Sequence, residues 1–209
     1  MRWSNGRVPM AWICVAAVGL LGAACGDDDG AAVADPSVSA PVTSASADTA
    51  ANDNVISVEA AAEQYVALVA APNCAIDELN AAIEAVATTP SGAVAEDQWP
   101  AIQATVVPAL VEVEVTGRDW ATALVGAEWP PLVASDVEEL ALAVTESANL
   151  YGEIAGAEDF DTFFELYNSA DTTAVFDASA AAAETVREHL GLDSVTTDPP
   201  DWCALAAPS

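Results

Sequence analysis

Beyond about residue 56, apolar positions recur every three or four residues, the period of helices that each bury one face. The clearest stripe runs from about Ser57 to Ala87: Val58, Ala62, Tyr65, Val69, Pro72, Ile76, Leu79, Ile83 and Val86 step by four and three along one seam. A heptad pattern of this length predicts a long amphipathic helix. Ser57 suits the N-cap, whereas Pro72 lacks an amide hydrogen and should kink or divide the helix near Ala71. Cys74 lies off the seam, on a flank that a C-terminal tail could reach.

A second stripe starts near Trp99, with Pro100 in its first turn, and continues through Gln103, Val106, Leu110, Val113, Gly117, Trp120, Leu124 and Ala127. Val111-Glu112-Val113-Glu114-Val115 alternates as a strand would, yet the helical seam extends beyond it on both sides, so a helix kinked at Pro108 is expected. Trp129-Pro130-Pro131 stops it. Ser135-Asp136-Val137-Glu138 fits a capping box ahead of a third stripe, Val137, Leu140, Val144, Ala148, Tyr151 and Ile154 or Ala155, which ends at Gly152 and Gly156. A fourth begins around Glu158 and uses Phe160, Phe163, Phe164, Tyr167, Ala170 and Ala174, with Val186 and Leu190 near its close. It is expected to break at Asp171-Thr172-Thr173, with Asp171 as cap. Arg187 and His189 lie in the last turn, and Gly191 suits the left-handed residue after it.

Four amphipathic helices with short connections predict an all-α fold, an up-down four-helix bundle with kinked long helices. The tail from Leu192 to Ser209 carries Pro199-Pro200 and Trp202-Cys203, and is expected to fold back along the first helix.

The N-terminus reads differently. Arg2 and Arg7 precede an apolar stretch from about Val8 to Ala24 that ends in small residues, the three-part pattern of a secretory signal. At roughly 17 residues, and interrupted by Pro9, Gly19 and Gly22, the stretch is at the lower limit for a bilayer span. Leu21-Gly22-Ala23-Ala24-Cys25 resembles the lipobox of bacterial lipoproteins. That resemblance covers this segment alone, and Gly22 stands where the family usually has an aliphatic residue. It implies a signal peptide over 1–24, cleavage before Cys25, a diacylglycerol and palmitate-type acylation on Cys25, and a cell-membrane location on the extracytoplasmic face. Gly22 and Ala24 would also suit an ordinary signal peptidase, the alternative, which would leave a secreted protein. Residues 25–55 begin Gly26-Asp27-Asp28-Asp29-Gly30 and continue in Ala, Ser, Thr, Pro and Asp without an aromatic residue, a composition expected to serve as a disordered acidic linker. The helical domain with its tail then occupies 56–209.

Cysteine counting agrees with lipidation. Cys14 leaves with the signal, and lipidation of Cys25 leaves Cys74 and Cys203 to pair in an oxidising compartment. Beyond residue 24 there are 33 acidic residues, no lysine, and only Arg118 and Arg187 as fixed cations, a formal charge of −31. That excess opposes binding of nucleic acid and anionic lipid, and favours a cationic partner, bound cations or plain solubility.

Candidate chemistry is sparse. His189, the single histidine, is better explained as a cation at a helix C-terminus than as the base of a serine triad. The sequence has no C-x-x-C-H, no Glu-x-x-His and no glycine-rich phosphate loop, so no catalytic, metal or cofactor constellation is singled out. Among the carboxylates Glu112, Glu114, Glu138, Glu139, Asp159, Asp161 and Glu165 no pair can be selected, while Glu114 and Arg118 have the favourable i, i+4 order. Tyr65, Trp99, Trp120, Tyr151, Phe160, Phe163 and Tyr167 lie on or beside the seams, as core or as the lining of an apolar ligand cavity. Trp129 and Trp202, in proline-rich turns, are candidates for contacting a partner. The expected function is a membrane-anchored, non-catalytic binding or structural module of the cell envelope, with an envelope protein or a cationic partner. The alternatives are a carboxylate-dependent hydrolase and a ligand-binding bundle; a transporter substrate-binding protein fits poorly without alternating strands and helices.

Overall fold

The computed structural model describes residues 55–87, 94–192 and 200–207. Six α-helices follow one another: α1 (Val58–Val86), α2 (Trp99–Gly126), α3 (Ala134–Ala155), α4 (Phe160–Tyr167), α5 (Ala170–His189) and α6 (Trp202–Ala206), with a 3-10 turn Glu96–Gln98 leading into α2. The all-α expectation holds. The described helices number six rather than four, because the fourth stripe is divided and the tail adds a helix of its own. The expected signal over 1–24, Cys25 and all but the last residue of the expected linker, with residues 88–93, 193–199 and 208–209, lie outside the described residues.

Local signals account for most helix ends. Ser57 caps α1, its Oγ accepting from the Ala60 amide at 3.2 Å, and Pro100 occupies the first turn of α2. Gly191 takes φ +68°, and the Leu192 amide donates to the Arg187 carbonyl at 2.9 Å, the closing bond of a Schellman turn. Pro72 and Pro108 each remain inside one helix. The segment 111–115 is helical, with Val113 buried and Val111 and Val115 exposed.

Two helix starts differ from those the sequence pattern predicts. The capping box at Ser135 is not formed: α3 starts at Ala134, the Pro130 carbonyl accepts the Val133 and Ala134 amides, and the cap position is Val133. The fourth stripe breaks at Asn168-Ser169 rather than at Asp171. Ser169 caps α5 by accepting from the Thr172 amide at 3.0 Å, and the Thr172 hydroxyl donates to the Leu166 carbonyl at 2.6 Å, fixing the corner. The new start rotates the buried face, so Ala170 and Ala174 are exposed while Thr172, Phe176, Ser179, Ala183, Val186 and Leu190 form the inner seam. Alanine is nearly indifferent to burial, and this seam includes a serine and a threonine, which hid it from a hydropathy reading.

Helix α1 packs on α2, α2 on α3, α3 on α5, and α6 on α1. The interior holds two apolar clusters. One gathers Tyr65, Trp120, Leu124, Leu140, Val186 and Trp202; the other gathers Ile76, Leu79, Ile102, Leu110, Ile154 and Phe163. Among the described helices only α1 is long and apolar enough to cross a membrane. Its apolar side is already engaged in both clusters.

The tail is tied to α1 by the Cys74–Cys203 disulfide, with Cα atoms 4.7 Å apart and 129 residues between the two positions. Asp201 caps α6, accepting from the Ala204 amide at 2.9 Å, and places Trp202 in the core.

Candidate functional site

Small residues bring α2 and α3 together. A Cβ on Gly117 would lie 3.2 Å from the Ala148 Cβ, and Ala121 and Ala141 are buried where the two helices meet. Farther along, a side chain at Gly152 would collide with the Glu114 carboxylate, which instead pairs with Arg118 at 2.9 Å. Arg118 Nη2 also donates to Asn149 Oδ1 at 2.9 Å, a bond that crosses from α2 to α3.

Close backbones with alanines between them leave a depression on the outer side. Arg118, Ala121, Thr122 and Val125 of α2 face Glu138, Ala141, Leu142 and Thr145 of α3 across an open groove of about 670 Å³. Both sets follow i, i+3, i+4, i+7 spacing, so one face of each helix forms a wall. Val125 is 70% exposed and Leu142 73%, extreme values for large aliphatic side chains. Val111 and Val115 extend the exposed apolar line along α2.

The aromatic candidates go elsewhere. Tyr65 meets Trp120 edge to face at 6.3 Å between ring centroids, Trp99 lies against Phe160 and Phe163, Tyr151 stacks on Phe176 at 4.7 Å, and Tyr167 stacks on Phe163. Burial raises the pKa of all three tyrosines, that of Tyr167 to about 12, because a phenolate would lose its hydration there. Trp120 and Tyr151 line a small space at mid-core, together with Pro72, Gly117, Ser147 and Ser179. Its volume of about 30 Å³ has room for a water or two. Trp120 Nε1 and Ser147 Oγ are both buried without a protein partner. Trp202 is buried and Trp129 is half-buried with its Nε1 donating to the Leu124 carbonyl at 2.7 Å, so neither indole meets the condition of exposure on which its candidacy as a partner contact depended.

Carboxylates are spread over the outer faces. Glu112, Glu138, Glu139, Asp161 and Glu165 are exposed, and Asp159 caps α4. The hydrogen bond from the Thr162 amide to Asp159 holds that carboxyl below its ordinary range. Asp77 is shifted the other way, by partial burial and then by the neighbouring Asp201. His189 Nδ1 lies 2.7 Å from Asp136 Oδ2, joining the end of α5 to the start of α3. Cys74, Cys203 and Glu78 form a compact trio, yet the two sulfurs are bonded to each other and are not thiolate ligands. No protein-family model matches this chain, and no curated protein or solved structure matches it.

Proposed function

We propose that this protein is a lipid-anchored, extracytoplasmic module of a bacterial cell envelope, whose helical domain binds a partner without performing chemistry on it. The α2–α3 groove carries the binding half of this reading: it is an accessible apolar concavity on a domain whose other large side chains are mostly packed inward. The lipobox-like segment ending at Cys25 and the acidic run after it support the anchoring half, a tether that holds the domain away from the membrane. We take the scaffold as an up-down four-helix bundle in which α4 and α5 together make the fourth rod. Antiparallel neighbours are supported by pairs of contacts: Tyr65–Trp120 with Val86 near Ile102 for α1 and α2, Gly117–Ala148 with Glu114 near Gly152 for α2 and α3, and Tyr151–Phe176 with Asp136–His189 for α3 and α5.

The anchor is tested by detergent partitioning of the protein expressed in a bacterium. It should enter the detergent phase, and Cys25→Ala should move it to the aqueous phase. Unchanged partition of the variant would overturn lipidation.

A further inference from the structure

We propose that the α2–α3 groove receives an amphipathic helix whose flanks are basic. This rests on the binding-module reading above and names the chemistry of its partner.

Two features of the groove select a helix. On α2 the outward line Val111, Val115, Arg118, Thr122 and Val125 is spaced four, three, four, three, its last three members lining the groove, and on α3 Glu138, Leu142 and Thr145 of the groove and Asn149 beyond it are spaced four, three, four. These are the intervals of a coiled-coil seam, here on the side of each helix that no described element covers. The floor is alanine, so a third helix can approach closely; the groove from Arg118 to Val125 spans about 10 Å at 1.5 Å per residue, roughly two turns, and the exposed Val111 and Val115 beyond it carry the line to about four turns. An apolar stripe on the incoming helix would set its anchors against Val115, Val125 and Leu142.

Charge selects which helix. Alongside the groove run exposed acids at seven-residue intervals: Glu112 and Asp119 on α2, and Glu139, Glu146 and Glu153 on α3. Rows at this spacing follow the groove as the flanking charges of a coiled coil follow its seam, and they favour Lys or Arg on both edges of the docked helix. Arg118, the only cation lining the groove, is already engaged by Glu114 and Asn149. A second copy of this chain is a poor occupant: it has no lysine, a formal charge of −31 beyond residue 24, and the same acid rows to be brought face to face. Residues 26–55 contain no basic residue and cannot supply the edges.

The test uses the exported full-length chain carrying Cys25→Ala, so that acyl chains do not compete for the probe. The probe is a labelled synthetic 18-residue peptide with leucines at alternating three- and four-residue spacing and lysines on both flanks. A peptide of equal composition with its leucines scattered serves as control. Fluorescence anisotropy at physiological salt should show the patterned peptide bound at least about tenfold more tightly than the control. Val125→Asp with Leu142→Asp should weaken it by a further factor of about ten, even though both changes add negative charge toward a cationic peptide. Glu139→Gln with Glu146→Gln should instead flatten the salt dependence. All four positions are exposed, and circular dichroism melts check that each variant folds. Equal binding of the two peptides, or indifference to the paired aspartates, would overturn the proposal. So would a concentration-dependent dimer in sedimentation that the paired aspartates abolish. None of these outcomes depends on Cys25, so failure here is distinct from failure of the anchor.

Discussion

Cutting the Cys74–Cys203 bond by Cys74→Ser with Cys203→Ser tests how the domain is held together. The bridge joins positions 129 residues apart, enclosing most of the helical domain but not the first half of α1. In the chain-entropy description a loop of that length restricts the unfolded chain by about 5 kcal/mol. This is an upper limit, because α6 has little else to hold it. Ordering each of its residues costs roughly 1–2 kcal/mol of backbone entropy, whereas full burial of one aromatic such as Trp202 returns only about 3 kcal/mol. Without the bond α6 should therefore leave its site on α1, exposing Trp202. The released tail recovers entropy in the folded state and offsets part of the loss. Guanidinium unfolding, followed by circular dichroism, should show the midpoint falling by as much as about 1 M with a slope near that of the parent. The tryptophan emission of the folded variant should shift to the red, and Trp202→Phe in the same background should remove that shift. A stability loss below about 1 kcal/mol with Trp202 still buried would show instead that α6 docks without its covalent tie.

Three further outcomes follow from the packing and charge environment. Gly117→Ala should destabilise despite alanine's better helix propensity, because its Cβ meets the Ala148 Cβ at 3.2 Å, while Gly126→Ala meets nothing within 4 Å and should gain up to about 1 kcal/mol in thermal melts. Tyr65, Tyr151 and Tyr167 are the three tyrosines of the chain, and burial raises all of them. A raised folded pKa means stability that is intact below the ordinary value near 10 and declines above it, so tyrosinate absorbance should stay silent past pH 10 and then rise together with unfolding; independent titration of any one tyrosine near 10 would contradict its burial. For Asp77, also raised but an acid ionised at neutral pH, the linkage gives destabilisation above its folded pKa that vanishes below the unfolded value near 3.8. Urea titrations should accordingly find Asp77→Asn more stable than the parent at pH 7 and equal to it at pH 3.

Helices α1, α2 and α3 were legible in the sequence because large side chains at three- and four-residue intervals leave only one face to bury, and Ser57, Pro100 and Gly191 act through backbone groups within a few residues of themselves. Cys74 and Cys203 were legible by elimination, an odd thiol count with one position claimed by the lipobox-like segment. The phase of α5 was not. Its seam uses Thr172, Ser179 and Ala183, whose burial depends on what faces them, and the Ser169 cap displaced the start by two residues. The outer groove was invisible for a related reason. Val125 and Leu142 fall off the seams through Leu124 and through Leu140 and Val144, so periodicity puts each outside, but only the packing of Gly117 against Ala148 sets the register that brings them together across one groove. Sequence determined the elements through local periodicity and capping. Tertiary structure decided which of several apolar faces would be covered, because that depends on how closely two backbones can approach, and no single helix carries that information.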